Sequence, residues 1–165
     1  MMIEKDKVGL VLGMANANSF GDPTLGTSLA TNFITNGAGV IFHVATATGI
    51  GVILECAAKG IMAVGADSGQ DYLAEDTVIT SAMKCVDNAV YATVKDMVKG
   101  TLKSDVTVYD LSNDGVDIAH TTRLLNKYVF VAVEEVKEKI VPGEIKVPSD
   151  SKSFEKVHGD RHQLV

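Results

Sequence analysis

Asp67 closes an almost wholly apolar run, Ile61 to Ala66, and is followed by the turn-forming residues Ser68-Gly69-Gln70. A carboxylate at the mouth of a buried strand has lost part of its water and needs hydrogen-bond donors. Either the amides of the turn cap it or a ligand supplies them. An ionised carboxylate can accept two hydrogen bonds side by side, which suits a vicinal diol. Lys84 is the nearest cation of interest. Its place in the first turn of an expected helix is disfavoured by the helix dipole, so it is either simply solvated or turned into the cleft that Asp67 faces. Thr48 and Gly49 belong to a third such segment, Thr46 to Gly51, a small-residue loop between a strand and a helix. Free amides at a helix start can donate to ligand oxygens. Gly49-Ile50-Gly51 lacks the third glycine and the following acid of a dinucleotide fingerprint, so a Rossmann site is not expected.

The other reactive side chains form no catalytic set. Cys56 and Cys85 stand in apolar surroundings without metal-ligand spacing and read as buried thiols. His158 and His162 are four apart but lack a third ligand, and His43 lies inside an apolar strand, where a hydrogen-bonded core role is expected. No Ser/His/Asp, Cys/His or paired-carboxylate arrangement emerges, so the chain is not expected to be an enzyme, to hold a metal or to need a cofactor.

These residues must be carried by a framework. The chain has 165 residues, 46% of them apolar and 22% charged, which suits one α/β domain with a real core. A net charge of −6 without a basic stripe argues against nucleic acid as a partner. Short β-branched runs alternate with amphipathic segments, the pattern of βαβ units and a mainly parallel sheet with helices on both faces. Strands are expected at Val8 to Leu12, Val40 to Ala45, Ile61 to Ala66 and Thr77 to Thr80. Two more, Val106 to Tyr109 and Gly115 to Ile118, are expected to pair with each other. Asp22-Pro23 should cap a helix that Asn36-Gly37 ends, and further helices are expected over Ile50 to Lys59, Ser81 to Lys99 and Thr122 to Ile140. The division is thus a lobe over residues 1–148 and a polar tail over 149–165. No run reaches the roughly 18 apolar residues of a membrane helix. The opening segment does not read as a signal peptide, nor is there a nearby cysteine to take a lipid, so a complete chain of this kind would be cytoplasmic.

An ordered series of motifs carries a resemblance. Asp22-Pro23 with Gly26, Gly37-Ala38-Gly39-Val40-Ile41-Phe42, Thr48-Gly49, Val64-Gly65-Ala66-Asp67-Ser68-Gly69-Gln70, Val78-Ile79-Thr80-Ser81-Ala82-Met83-Lys84, Asn113-Asp114-Gly115-Val116 and Pro142-Gly143-Glu144-Ile145-Lys146-Val147-Pro148 together resemble the basic membrane protein family. Members are substrate-binding lipoproteins of ABC importers, including purine nucleoside receptors. The resemblance implies part of a type I periplasmic-binding fold, matching mainly the C-terminal half of the family. It also implies a nucleoside ligand, a transporter permease as partner and a place in the cell envelope. In this reading Asp67 accepts hydrogen bonds from ribose hydroxyls, Lys84 donates to the same sugar, and Thr48 and Gly49 contribute backbone groups. Gly69 stands where the family commonly has a second acid. Two alignments of the N-terminal stretch remain open, through Val8 to Met14 or through Asn18-Ser19-Phe20. An isolated lobe would expose apolar surface and self-associate. The alternative is a structural or regulatory interaction module of the same descent that no longer binds nucleoside.

Overall fold

The Asp22 carboxylate accepts a hydrogen bond from the Leu25 amide at 3.0 Å and Pro23 takes the first helical position, so α1 (Pro23–Thr35) begins where a side-chain cap and a fixed φ favour it. This computed structural model describes residues 15–121, 123–148, 150, 152 and 153. The expected strand Val8 to Leu12, the N-terminal alignment through Val8 to Met14, the His158/His162 pair and nearly all of the polar tail lie outside the described residues.

After α1 come β1 (Val40–Phe42), α2 (Thr46–Lys59), β2 (Met62–Asp67), β3 (Val78–Lys84), α3 (Val86–Lys99), β4 (Val116–Ile118) and α4 (Lys127–Ile140), with single 3-10 turns at Asp71–Leu73 and Leu111–Asn113. The sheet runs β1-β2-β3-β4, parallel across the first three strands and antiparallel at the last. It is the expected α/β architecture with a mainly parallel sheet.

Four expectations are corrected. The second helix starts at Thr46 rather than near Ile50, because the Phe20 carbonyl accepts the otherwise orphaned amides of Ala47 and Thr48 at 3.0 and 3.2 Å. Ser81 to Lys84 continue β3 and do not open a helix. That segment is zipped between β2, where Gly65 faces Ser81 and Asp67 faces Met83, and β4, where Lys84 faces Val116. Two ladders outweigh the modest helix preference of four residues. Val106 to Tyr109 forms no strand. Its backbone is held by side chains, the Asn113 amide donating to the Val108 carbonyl at 2.9 Å, while Gly115 to Ile118 contributes β4 to β3 instead. The last helix begins at Lys127, capped by the Asn126 side chain, five residues later than the pattern suggested.

The core lies between α1, α2 and the sheet, built from Ala30, Ile41, Val52, Ile53, Cys56, Ala63 and Val78, with Phe33 and Leu73 packed against it. Glycines let α1 and α2 touch backbone to backbone. A methyl group on Gly26 would collide with the Thr48 carbonyl oxygen, and one on Gly51 would stand 2.7 Å from the Pro23 carbonyl carbon.

Both cysteines are free thiols. Cys56 is fully enclosed, and burial pushes its pKa up to about 11. Cys85 is half-buried, with its pKa raised first by desolvation and then by nearby carboxylates. A thiol-disulfide reagent at pH 8 is therefore expected to modify Cys85 slowly and Cys56 only after denaturant is added. Two equally fast native thiols would contradict the burial of Cys56.

Candidate functional site

The register of the parallel strands decides what meets what at their carboxyl ends. Asp67 pairs across with Met83, so Lys84 extends one residue beyond it on the neighbouring strand. The Lys84 ammonium stands 2.6 Å from Asp67 Oδ1. The contact is an ion pair rather than an aligned hydrogen bond, and Oδ1 is otherwise enclosed without a donor. The turn amides do not cap this carboxylate: Ser68 N donates to the Ala66 carbonyl and Gln70 N to Ser81 Oγ. Asp67 itself adopts φ +70°, a left-handed conformation that Asp tolerates better than most residues and that lets the chain leave β2 abruptly.

The pair forms part of the lining of a hollow of about 440 Å³. Phe42, Val44 and Met83 supply apolar surface from the sheet side, and Leu111, Val133 and Ile140 supply it from the far side. A second ion pair, Lys137 to Asp117 at 3.7 Å, lies in the same lining. A mainly apolar concavity with a few convergent polar groups, of a volume in the range of small-molecule pockets, is what a neutral, partly polar solute requires.

Asp67 and Lys84 are thus brought together, as the sequence reading expected of a shared cleft, although Lys84 reaches it from a strand end. Thr48 and Gly49 are not among the residues lining the hollow. Thr48 is buried in α2's first turn, where its hydroxyl donates to the Ser19 carbonyl at 3.1 Å and accepts the Asp22 amide at 3.0 Å. The Gly49 amide donates to the Ala45 carbonyl, and its α-carbon lies against the His43 ring. Three lining residues escaped the sequence reading. Phe42, at the end of an apolar strand, is 55% exposed and faces the hollow. Lys137 lies in a helix the sequence suggests only as a span, and its side chain is only 23% exposed, with Asp117 and Glu134 holding it. Nothing local to Asp117 signals its place in the lining, which depends on the β3–β4 pairing.

One cluster has ligand-type atoms for a metal: those of Asp117, His120 and Glu134 lie within 4.8 Å of one another. The Lys137 ammonium stands 3.7 Å from Asp117 and 3.9 Å from Glu134, so these carboxylates already have a cation.

The α/β sheet thus carries a solute-sized hollow at its carboxyl edge, where open α/β sheets place their ligands. Residues 10–151 match the family described as ABC transporter substrate-binding protein PnrA-like, and the chain belongs to that family. It is 35% identical over 143 residues to basic membrane protein D of Borreliella burgdorferi, covering 83% of this chain and 42% of that protein. To the CD4+ T-cell-stimulating antigen of Listeria monocytogenes it is 31% identical over 152 residues, covering 80% of this chain and 42% of the relative. The chain therefore spans less than half the length of these curated relatives. Among solved structures, an ABC transporter system solute-binding protein from Aeropyrum pernix superposes with a TM-score of 0.68 at 26% identity, covering 87% of this chain and 50% of that one. A transcriptional activator of the comK gene from Bacillus halodurans shares the fold, with a TM-score of 0.72 at 17% identity. Among the described residues no helix is long and apolar enough to cross a membrane.

Proposed function

We propose that this chain binds a small solute, a purine nucleoside, as a lobe of the substrate-binding component of an ABC importer, working at the cell envelope with a transporter permease and without catalysis. The observation that carries this reading is the Lys84–Asp67 pair, 2.6 Å apart at adjacent strand ends in the lining of an apolar hollow. A ribose diol would donate to Asp67 and accept from Lys84, and a planar base would lie on apolar surface that includes Phe42. Family membership supports the solute-binding role. A single open wall leaves much of a ligand in water, so affinity is expected to be weak, with a Kd on the order of 1 mM, or about −4 kcal/mol. Calorimetric titration with guanosine, adenosine and their 2′-deoxy forms tests it. Ribonucleosides should bind and deoxynucleosides bind more weakly. Equal binding of both would remove the diol, and no heat from any would remove the nucleoside.

A second reading, an interaction module that associates with its own copies, has one observation in its favour. Val86, Val90, Val94 and Met97 recur at helical spacing along α3, and all four are exposed. Asp87 lies in the first turn of that helix and Lys99 in its last, so antiparallel pairing of two copies would set opposite charges together beside the apolar stripe. Sedimentation equilibrium is expected to show a monomer–dimer system that Val90→Glu/Val94→Glu makes monomeric. A wild-type chain that is monomeric throughout, with nucleoside bound, leaves only the first reading.

A further inference from the structure

His43 and Gln70 lie beneath the Asp67 turn and are absent from the lining of the hollow, yet they form a polar network in the core. Gln70 Oε1 accepts the Ala66 backbone amide at 2.9 Å and lies 2.9 Å from His43 Nε2, while the Gln70 backbone N–H donates to Ser81 Oγ at 3.1 Å. An amide oxygen cannot donate, so the second contact requires the proton on Nε2 and fixes the neutral tautomer of His43. Nδ1 is then a bare acceptor, and among the described residues it has no partner. His43, Gln70 and Ser81 are all buried, so each hydrogen bond lost would leave a polar group stranded. Two glycines make the room: a methyl group on Gly49 would overlap the imidazole, and one on Gly65 would stand 2.7 Å from Gln70 Oε1.

The network grips the chain on both sides of Asp67. Ala66 precedes it and is held through its amide. Gln70 follows three residues later and is anchored to β3 through Ser81. Between these fixed points Asp67 holds its left-handed φ of +70°. We propose that His43 and Gln70 are positioning residues, which hold the Ala66–Gln70 turn so that the Asp67 carboxylate meets Lys84 and a bound solute. This extends the solute-binding reading, and its effect on affinity rests on that reading. Burial holds the His43 pKa below its ordinary value, with the Gln70 hydrogen bond and the Asp67 charge acting in the opposite direction. The neighbours on α2 and β3, Gly49 and Ser81, carry no charge. A second ring proton would enter at Nδ1, against Gly49, where no acceptor waits.

The test uses the whole chain and two variants. Gln70→Ala removes the shared acceptor and is expected to speed hydrogen exchange at the Ala66 amide, shift the Asp67 Cα resonance and weaken guanosine binding by about tenfold or more. Gln70→Glu keeps an acceptor for both donors. It is expected to hold Ala66 exchange and guanosine affinity near wild type, while long-range 1H–15N spectra show His43 protonated at higher pH than in wild type. If wild type binds no nucleoside, the solute reading falls, and the Ala66 and Asp67 signals still judge the network. Unchanged signals in Gln70→Ala, or unchanged affinity in a wild-type protein that does bind, would overturn the positioning role. Should Gln70→Ala not fold, a tenfold loss of affinity or an unmoved His43 titration in Gln70→Glu would overturn it equally.

Discussion

Asp67→Asn is expected to lower guanosine affinity by about tenfold to a hundredfold, the worth of a charge-assisted hydrogen bond to a ligand, while moving the urea midpoint of unfolding very little. The two halves of that result have separate causes. Asparagine tolerates the left-handed conformation at this position, so the turn survives. The ion pair that is lost has a side-chain exposure of 66% on Lys84 and 39% on Asp67, and pairs so open to solvent contribute only about 0–1 kcal/mol. Binding differs because asparagine offers one weaker acceptor and turns a donor toward both the sugar and Lys84. Paired calorimetry and urea titrations check this. Equal affinity in the two proteins would strip Asp67 of its assigned role, whereas a large loss of stability would make it structural.

Gly26→Ala should destabilise the fold by about 1–3 kcal/mol, a sizeable share of the 5–15 kcal/mol typical of a domain. The new methyl group would meet the Thr48 carbonyl oxygen and lie 2.9 Å from its carbon, which is backbone and cannot rotate aside. α1 and α2 would have to part, breaking the Thr48 hydroxyl bonds to Ser19 and Asp22 as they did so. Gly51→Ala strains the same contact from the other helix against Pro23, so the double substitution should cost less than the sum of its parts. Gly39→Ala serves as the control, having no atom within 4 Å of its added methyl, and should fall within about 0.5 kcal/mol of wild type. Indistinguishable urea midpoints for Gly26→Ala and Gly39→Ala would refute the close helix contact.

Local chemistry made much of this fold legible. Asp22-Pro23 announced α1 through cap and fixed φ, and Gly60 and Gly100 ended α2 and α3 in the left-handed conformation expected of them. What local chemistry could not show were choices made by distant partners. Ser81 to Lys84 read as helix because the ladders to β2 and β4 that hold it extended come from elsewhere in the chain. Thr46 to Gly49 read as an open loop because the Phe20 carbonyl that receives the helix's first amides lies 26 residues or more away. In the candidate site, a carboxylate after an apolar run marked Asp67 from sequence alone. The approach of Lys137 and Asp117 required a helix and an antiparallel strand to converge, which no spacing of residues encodes. His43 was legible as a core histidine, but not its partner, because the Gln70 side chain folds back beneath its own turn.

The contact between Asp67 and Lys84 also bears on what kind of molecule could displace it. An acceptor and a donor already joined form a wedge with no net charge. A hydroxyl can slip between them, since it gives and takes at once, whereas a free acid or amine meets one welcoming pole and one hostile one. Such a wedge sorts visitors by their two-sidedness rather than by their charge.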